Sequence, residues 1–407
     1  MRAITTHKFR MYPNAQLRGI LEVQLSLCAL VYNALLEEIN AADYEGRPIA
    51  QGDTQKLILK LKKENQHLNA IYSKALQMVN NMLWYNLRSM QGLRRKGRKA
   101  VRLRFKTGGS FRAINYNQSG FSIDRKGKKI TFSKIGTINV KLNREMRGEV
   151  KGVIIKKQAG NWFALVQVED DFAPLPMTGK NVGIDMGINN LIADSNGNLI
   201  ENPNFLQKAL PRIRMMQKNL SRKNKGSKNY EKERKRLERR HANVSNRRRD
   251  FLHKVSRFYV NNFDTISIED LDCKGLIGKG RSSTLHRSIS NAAWRMCRDM
   301  LSYKAQRAGR RLILVDPKDT SQRCSRCGNV KEEKERLRLH DRTYKCKNCG
   351  FEADRDYNAA VNIMRSGQGL PAVPSEVLPL PRVIKYTDMN SGHALSMNKE
   401  THAFRRG

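Results

Sequence analysis

The apolar positions follow a helical period at first. After a short extended segment ending at Tyr12, Pro13 and Asn14, residues Leu17, Leu21, Cys28, Val31, Tyr32, Leu35 and Ile39 share one face of a long amphipathic helix. Helical pattern then continues to about residue 93. From about residue 111 to 171 the period shortens to two. Residues 130–133, 152–155 and 162–168 read as strands, the last after the turn residues Ala159 and Gly160. This predicts a small β-barrel or sheet with helices inserted near its start.

A second pattern begins near residue 181. Residues 182–187 and 191–194, with the turn Asn196 and Gly197, predict an antiparallel hairpin. A basic helical stretch of mixed sign covers roughly 205–260. A strand at 265–269, a Gly-rich loop, a helix around 288–308 and a strand at 311–315 follow, then a cysteine-bearing segment at 324–349 and a helix over about 355–365. The tail from about 369 carries Pro371, Pro374, Pro379 and Pro381 with little apolar periodicity, and reads as disordered or loosely attached.

Charge narrows the picture. The 407 residues are enough for two or three domains, and 78 Lys and Arg against 37 Asp and Glu give a formal net charge of +41. So large an excess points to a polyanion, because basic residues gain affinity by releasing counterions condensed on phosphates. Charge alone also fits a ribosomal-type protein. No apolar run is expected to approach the roughly 18 residues that span a bilayer, and residues 1–8 lack the apolar core of a signal peptide. Within the excess, the run Arg94, Arg95, Lys96, Arg98 and Lys99 is a candidate phosphate contact, although such a run is commonly a solvated face.

Of seven cysteines, Cys324 and Cys327 form one CxxC pair and Cys346 and Cys349 another, with 18 residues between the pairs; Cys28, Cys273 and Cys297 are scattered. An odd total with paired spacing fits a reducing compartment, the cytoplasm, and a bound metal. Gly328 and Gly350 follow each pair, where a small residue lets the backbone turn around an ion. Four thiolates complete a tetrahedron with no position open for water, so one structural Zn²⁺ is expected.

A second constellation is acidic. Asp185 lies mid-strand, with Val182, Ile184 and Met186 on one side and Gly183 and Gly187 beside it on the other. An unpaired buried carboxylate is costly, so a chemical role is indicated, with the glycines read as room for a metal and a phosphate. Glu269 closes a second strand, opposite Ile266 and Ile268, and Asp354 and Asp356 open the last helix. Asp354 suits the N-cap, which leaves Asp356 in the first turn as the third ligand. Hard carboxylate oxygens suit two Mg²⁺ or Mn²⁺ ions, which activate water and stabilise the leaving oxygen of a phosphodiester. Gly275, Gly280, Arg281 and Ser282 imitate a P-loop but place Arg where its Lys belongs; a mobile basic loop over the catalytic face is the better reading.

These residues resemble the TnpB family, RNA-guided nucleases of bacterial and archaeal insertion sequences related to type V CRISPR effectors. The resemblance covers nearly everything but the tail. It rests on residues 10–14, 31–33, 183–187, 251–254, 268–271 and 303–305, on Thr320, Ser321 and Gln322 before Cys324, Cys327 and Gly328, and on Asp354, Asp356, Asn358, Ala359 and Ala360. It implies a multidomain α+β and α/β chain. A wedge-type β-barrel would take residues 1–14 and 106–178, and an inserted helical recognition domain 15–105. A split RuvC (RNase H-like) domain would take 179–320 and 350–368, and a zinc ribbon binding target nucleic acid 321–349, with a disordered tail at 369–407.

It implies as partners a guide RNA derived from the element end, and double-stranded target DNA with its displaced strand. The protein would be monomeric, cytoplasmic and nucleoid-associated, with no membrane partner. Gln77 looks similar to a contact with the motif flanking the target, while Ser73 stands where a relative carries Lys. An aromatic residue is common at the position of Asp319. In such systems the guide pairs with DNA while protein reads backbone and a short motif. The implied activity is endonucleolytic, with Asp185, Glu269 and Asp356 as catalytic ligands. The competing readings are a guided repressor that no longer cuts and an unguided DNA-processing nuclease or transposase.

Overall fold

The computed structural model describes residues 2–97, 102–107, 109–272, 275, 292–338, 340–370 and 382–385. Arg98, Lys99, Cys273 and residues 276–282 of the P-loop-like stretch lie outside them. The chain divides into two compact units, Arg2–Asp171 and the part beginning at Phe172.

In the first unit, β1 (Arg2–Tyr12) runs into Pro13, which cannot continue a ladder, and Asn14 starts α1 (Ala15–Tyr44) by accepting the Leu17 amide at 2.8 Å. Helices α2 (Gln51–Glu64) and α3 (Ser73–Arg95) follow. Six strands then complete an antiparallel, barrel-like sheet: β2 (Ala113–Asn117), β3 (Phe121–Asp124), β4 (Lys129–Phe132), β5 (Gly136–Lys141), β6 (Glu149–Gln158) and β7 (Asn161–Asp171). Their order is β2-β6-β7-β1-β5-β4-β3, so the helices are inserted between the first two strands in sequence. Alternation sets the inner face: Trp162, Ala164, Val166 and Val168 of β7 are buried, as are Phe9 and Met11 of β1. Leu21, Cys28, Tyr32 and Leu35 of α1 share that core with Leu76, Val79 and Leu83 of α3.

One expectation needs correction here. Helix α1 is long and apolar enough, by length and composition, to cross a membrane. Counting uninterrupted apolar residues missed it because Gln24, Ser26 and Asn33 punctuate the run. Half of that stretch is buried within the protein, and its apolar face is the core surface described above.

The second unit is built on a six-stranded sheet ordered β12-β11-β8-β9-β10-β15. Its members are β8 (Asn181–Asp185), β9 (Asn190–Asp194), β10 (Asn198–Glu201), β11 (Thr265–Glu269), β12 (Arg311–Val315) and β15 (Arg382–Ile384). β8 to β10 form an antiparallel meander, whereas β11 and β12 run parallel to β8. Within the tail read as disordered or loosely attached, the described residues hold one strand, Arg382–Ile384: β-branched Val383 and Ile384 pair in parallel with β10, and Ile384 is buried.

Residues 172–178, grouped above with the barrel, also belong to this second unit. Leu175 donates its amide to Ala308, and Thr178 and Gly179 donate theirs to the Asp264 carboxylate.

Helices α4 (Phe205–Ser221), α5 (Lys228–Asn262) and α6 (Trp294–Arg307) connect the strands. Val255, Tyr259 and Leu301 from α5 and α6 pack with Val182, Ile184, Ile266 and Ile268 on one face of the sheet. The short hairpin β13 (Thr343–Lys345) and β14 (Glu352–Asp354) leads into α7 (Arg355–Gln368), which lies on the opposite face.

Candidate active site and metal centre

Strand register brings two of the three acids together. In the parallel pair β8–β11 the last partners are Ile184 and Ile268; one residue beyond them stand Asp185 and Glu269. The third arrives on α7, packed over the face of β8 that Gly183 and Asp185 share. Gly183 allows that approach: a Cβ there would meet the Ala360 carbonyl oxygen at 2.0 Å and the Met364 nitrogen at 2.5 Å. The sequence pattern alone suggests room for a metal and a phosphate at this glycine. The structure gives it a different task, letting a helix backbone lie directly on the strand. Gly187 is tight against the Asn190 carbonyl oxygen, at 2.6 Å from a Cβ, in the turn between β8 and β9.

Asp354 accepts the amides of Asp356 and Tyr357 on one oxygen at 2.9 and 3.0 Å, as an N-cap does. Asp356 follows in the first turn, where the positive end of the helix favours a carboxylate. Asp185 feels both of the other acids. Asp185 is held well above the usual carboxylate range by burial, then by the charges of Glu269 and Asp356, with Arg355 opposing. Burial also raises Glu269, against the Thr320 hydroxyl that donates to its Oε1 at 2.5 Å. Like charges gathered in partly buried surroundings are relieved by a divalent cation, and carboxylate oxygens are the donors that hard cations take.

The cysteine cluster is tighter. The ligand atoms of Cys324, Cys327, Cys346 and Cys349 all lie within 4.8 Å of one another. Cys324 and Cys349 sulfurs are 3.7 Å apart, and those of Cys327 and Cys346 3.6 Å. A tetrahedron with Zn–S bonds of about 2.3 Å has edges of roughly 3.8 Å, so the sulfur spacing fits zinc. It is far too long for disulfides, at about 2.05 Å. Gly328 and Gly350 both take positive φ, and their amides donate to Cys324 and Cys346. Among the described residues the local core is Cys324, Tyr344, Cys346 and Phe351 with a few half-buried neighbours, a small core to which a bound ion would add. Cys28 and Cys297 take no part: burial pushes each thiol up to about 12.

The remaining candidates lie in the first unit. Gln77 is exposed on α3, and Arg94, Arg95 and Lys96 are exposed at its C-terminus. They belong to the first unit and the acids to the second.

Three family models match the chain: a "Probable transposase" model (OrfB_IS605) over residues 163–279, a "Cas12f1-like, TNB domain" over 294–363 and a "Helix-turn-helix domain" over 1–47. In that last range the structure has β1 and the single helix α1. A "Putative RNA-guided DNA endonuclease" of Streptomyces pristinaespiralis is 32% identical over 380 residues, covering 91% of each chain. The chain belongs to the TnpB family. InsQ of Escherichia coli, another "Putative RNA-guided DNA endonuclease", is 31% identical over 388 residues, 91% of this chain and 94% of that protein. Among solved structures, a Cas12f1–sgRNA–target DNA complex has a protein chain matching 89% of this one, with a TM-score of 0.53 at 14% identity, a likeness of fold.

For this family member the structure adds residues that the sequence reading did not assign. Thr320 holds Glu269. Buried Asn358 and Asn362 on α7 bind the strand of chain leading through the first CxxC pair: Asn358 accepts the Ser325 amide at 2.9 Å, and both asparagines donate to the Arg323 carbonyl, at 2.8 and 2.7 Å. Arg355 pairs with Asp356. Asn358 and Thr320 stood inside the motifs quoted above, but neither spacing nor periodicity says which backbone an amide will reach.

Proposed function

We propose that this protein is an RNA-guided DNA endonuclease whose second unit is an RNase H-like (RuvC) nuclease domain, with Asp185, Glu269 and Asp356 as ligands for two Mg²⁺ or Mn²⁺ ions. The observation that carries this reading is the placement of these carboxylates, from three distant stretches of sequence: Asp185 and Glu269 stand side by side at the ends of β8 and β11, and α7, which carries Asp356 in its first turn, packs on the face of β8 that Asp185 shares. A structural core gains nothing from gathering three acids. When bound, the ions supply Lewis-acid activation of water and charge stabilisation at the leaving oxygen. The protein's share is placement. β8 and β11 fix Asp185 and Glu269 side by side, Thr320 orients Glu269, and the first turn of α7 presents Asp356.

The cysteines would hold one structural Zn²⁺, making residues 321–349 a zinc ribbon. The basic surface, +41 in formal charge overall, would carry the guide RNA and target DNA, including the exposed cations at the end of α3. Guide RNA and target DNA as partners follow from the family's named activity and the nucleic acids in the matching complex.

The test is to express the protein with its native flanking DNA, sequence the copurifying RNA and assay cleavage of a matching target. One dominant RNA, magnesium-dependent cutting by the wild type, and loss of cutting with retained RNA binding in Asp185→Ala are expected. Retained cutting in that variant would refute the ligand assignment, and the absence of a defined RNA would refute guiding.

A further inference from the structure

The side chain of Arg355 forks onto one oxygen of its neighbour. Its Nε donates to Asp356 Oδ1 at 3.1 Å and its Nη2 to the same oxygen at 2.9 Å. The opposite end is also fixed: Nη1 donates to the Arg338 carbonyl at 3.2 Å. Both side chains are 16% exposed. The other oxygen, Oδ2, has the Arg342 guanidinium at 3.7 Å, beyond hydrogen-bond distance, and Arg342 is half exposed. One carboxylate oxygen is therefore held by a rigid planar donor, while the second has the longer contact with Arg342.

The Arg338 carbonyl is itself placed by the cysteine module. Arg338 lies between the two CxxC pairs, in a turn closed by Asp341, whose amide donates to the Arg338 carbonyl. The Asp341 carboxylate accepts the Arg338 amide at 2.6 Å. The preceding residue, Leu337, is gripped on both sides by Gln322: the Leu337 amide donates to Oε1 at 2.8 Å, and Nε2 donates to the Leu337 carbonyl at 3.2 Å. Gln322 stands two residues before Cys324. Hydrogen bonds linked by short stretches of backbone thus run from the chain just before Cys324, through Gln322, Leu337 and Arg338, to Arg355 and Asp356.

We propose that Arg355 is a positioning residue that turns Oδ2 of Asp356 toward the catalytic metal, and that the cysteine module sets this orientation through the Arg338 carbonyl. The inference rests on the reading of Asp356 as a metal ligand. A simple counter-ion, displaced when metal arrives, would not need a planar fork or a backbone anchor. Lys could serve as well in that case. A positioning role requires both, and metal-ligand orientation by an outer partner is typically worth about 10–100-fold in affinity.

The experiment is Mn²⁺ binding to the full-length, zinc-loaded protein, read from the electron paramagnetic resonance of free Mn²⁺, with zinc per chain measured alongside. Arg355→Lys and Arg355→Gln should each weaken Mn²⁺ binding by about tenfold or more at unchanged zinc content. Gln322→Ala should weaken it in the same direction and by less. In cleavage, the Arg355 variants should need more Mg²⁺ for half-maximal rate while approaching the wild-type rate at saturation, a split that general loss of folded protein does not produce. Wild-type Mn²⁺ binding in Arg355→Lys, or tighter binding in Arg355→Gln, overturns the positioning role in favour of a counter-ion. Asp356→Asn separates this inference from the reading beneath it. If that variant binds Mn²⁺ like the wild type, Asp356 is not a ligand and both fail. If it loses binding while the Arg355 variants do not, only the role of Arg355 fails.

Discussion

Gly183→Ala tests the helix–sheet contact on which the proposed site depends. The added methyl would lie 2.0 Å from the Ala360 carbonyl oxygen, 2.5 Å from the Met364 nitrogen and 2.8 Å from the Met364 Cβ. Ordinary contact begins near 3.4 Å. Two of the three atoms are backbone, so no rotamer change clears the space, and α7 must withdraw from β8 by more than an ångström. Overpacking of this kind costs about 1–3 kcal/mol; a rigid helix backbone on one side and a central strand on the other put this case near 3. Because α7 also carries Asp356, a shift of that size should reduce cleavage by about 10²-fold. Amide hydrogen exchange resolved to peptides of β8 and α7 reads the local stability without assuming that both units unfold together. Gly19→Ala, in α1 with nothing within 4 Å, is the control and should stabilise its helix by roughly 0.5–1 kcal/mol. Protection of β8 and α7 within about 0.5 kcal/mol of wild type, with cleavage unchanged, would refute the reasoning.

Arg310→Met should destabilise the second unit by about 3–5 kcal/mol in denaturant melts, since it strands the buried Asp264 carboxylate, paired at 2.5 Å, and the carbonyls of Pro176 and Val260. The Asp264 carboxyl is lowered: burial opposes this, but the Thr178 and Gly179 amides and Arg310 outweigh it. Its stabilisation is therefore complete above the ordinary value of about 3.9 and is lost as pH falls through the depressed value, an acid-limb loss that Asp264→Asn should flatten. Stripping zinc with a strong chelator, or Cys346→Ser, should abolish exchange protection across residues 324–354 while β11 stays protected; protection surviving metal removal would contradict a metal-held module. Thr320→Val should cut cleavage about tenfold or more with RNA binding intact, measured at saturating guide and target.

How much could be read from sequence varied with the range of the determining force. Alternation in residues 162–168 and the helical stripe from Leu21 to Ile39 are local, and the strand β7 and helix α1 follow them closely. The CxxC spacing announced a closed four-sulfur cluster for the same reason: the ligands and turn glycines sit side by side. The tail strand β15 was hidden because three residues carry no period, and only the waiting edge of β10 gives them a partner. Gly183 showed that a glycine was needed without showing why. The reason lies on α7, some 180 residues away in the chain, and no local pattern distinguishes space for a ligand from space for a helix. Side-chain amides such as Asn358 are similarly silent, because their partners are chosen by tertiary contact.

The short run from Asp354 to Asn362 gathers most of these dependencies onto one helix. Asp354 caps it, Arg355 holds Asp356, Asn358 and Asn362 fasten it to the chain around the first cysteine pair, and the Ala360 backbone lies on Gly183. Substitutions one residue apart should therefore fail differently. Asp354→Ala removes a cap and should cost about 1 kcal/mol in the exchange stability of α7, leaving metal affinity little changed. Asp356→Asn should do the reverse, sparing stability and abolishing Mn²⁺ binding. Asn358→Ala leaves the buried Ser325 amide unsatisfied and removes one of the two side-chain donors to the Arg323 carbonyl, and should cost about 1–3 kcal/mol in the cysteine module as well as in the helix. If all three instead lost stability and metal binding in proportion, the helix would be acting only as a scaffold and the division of labour along it would be wrong.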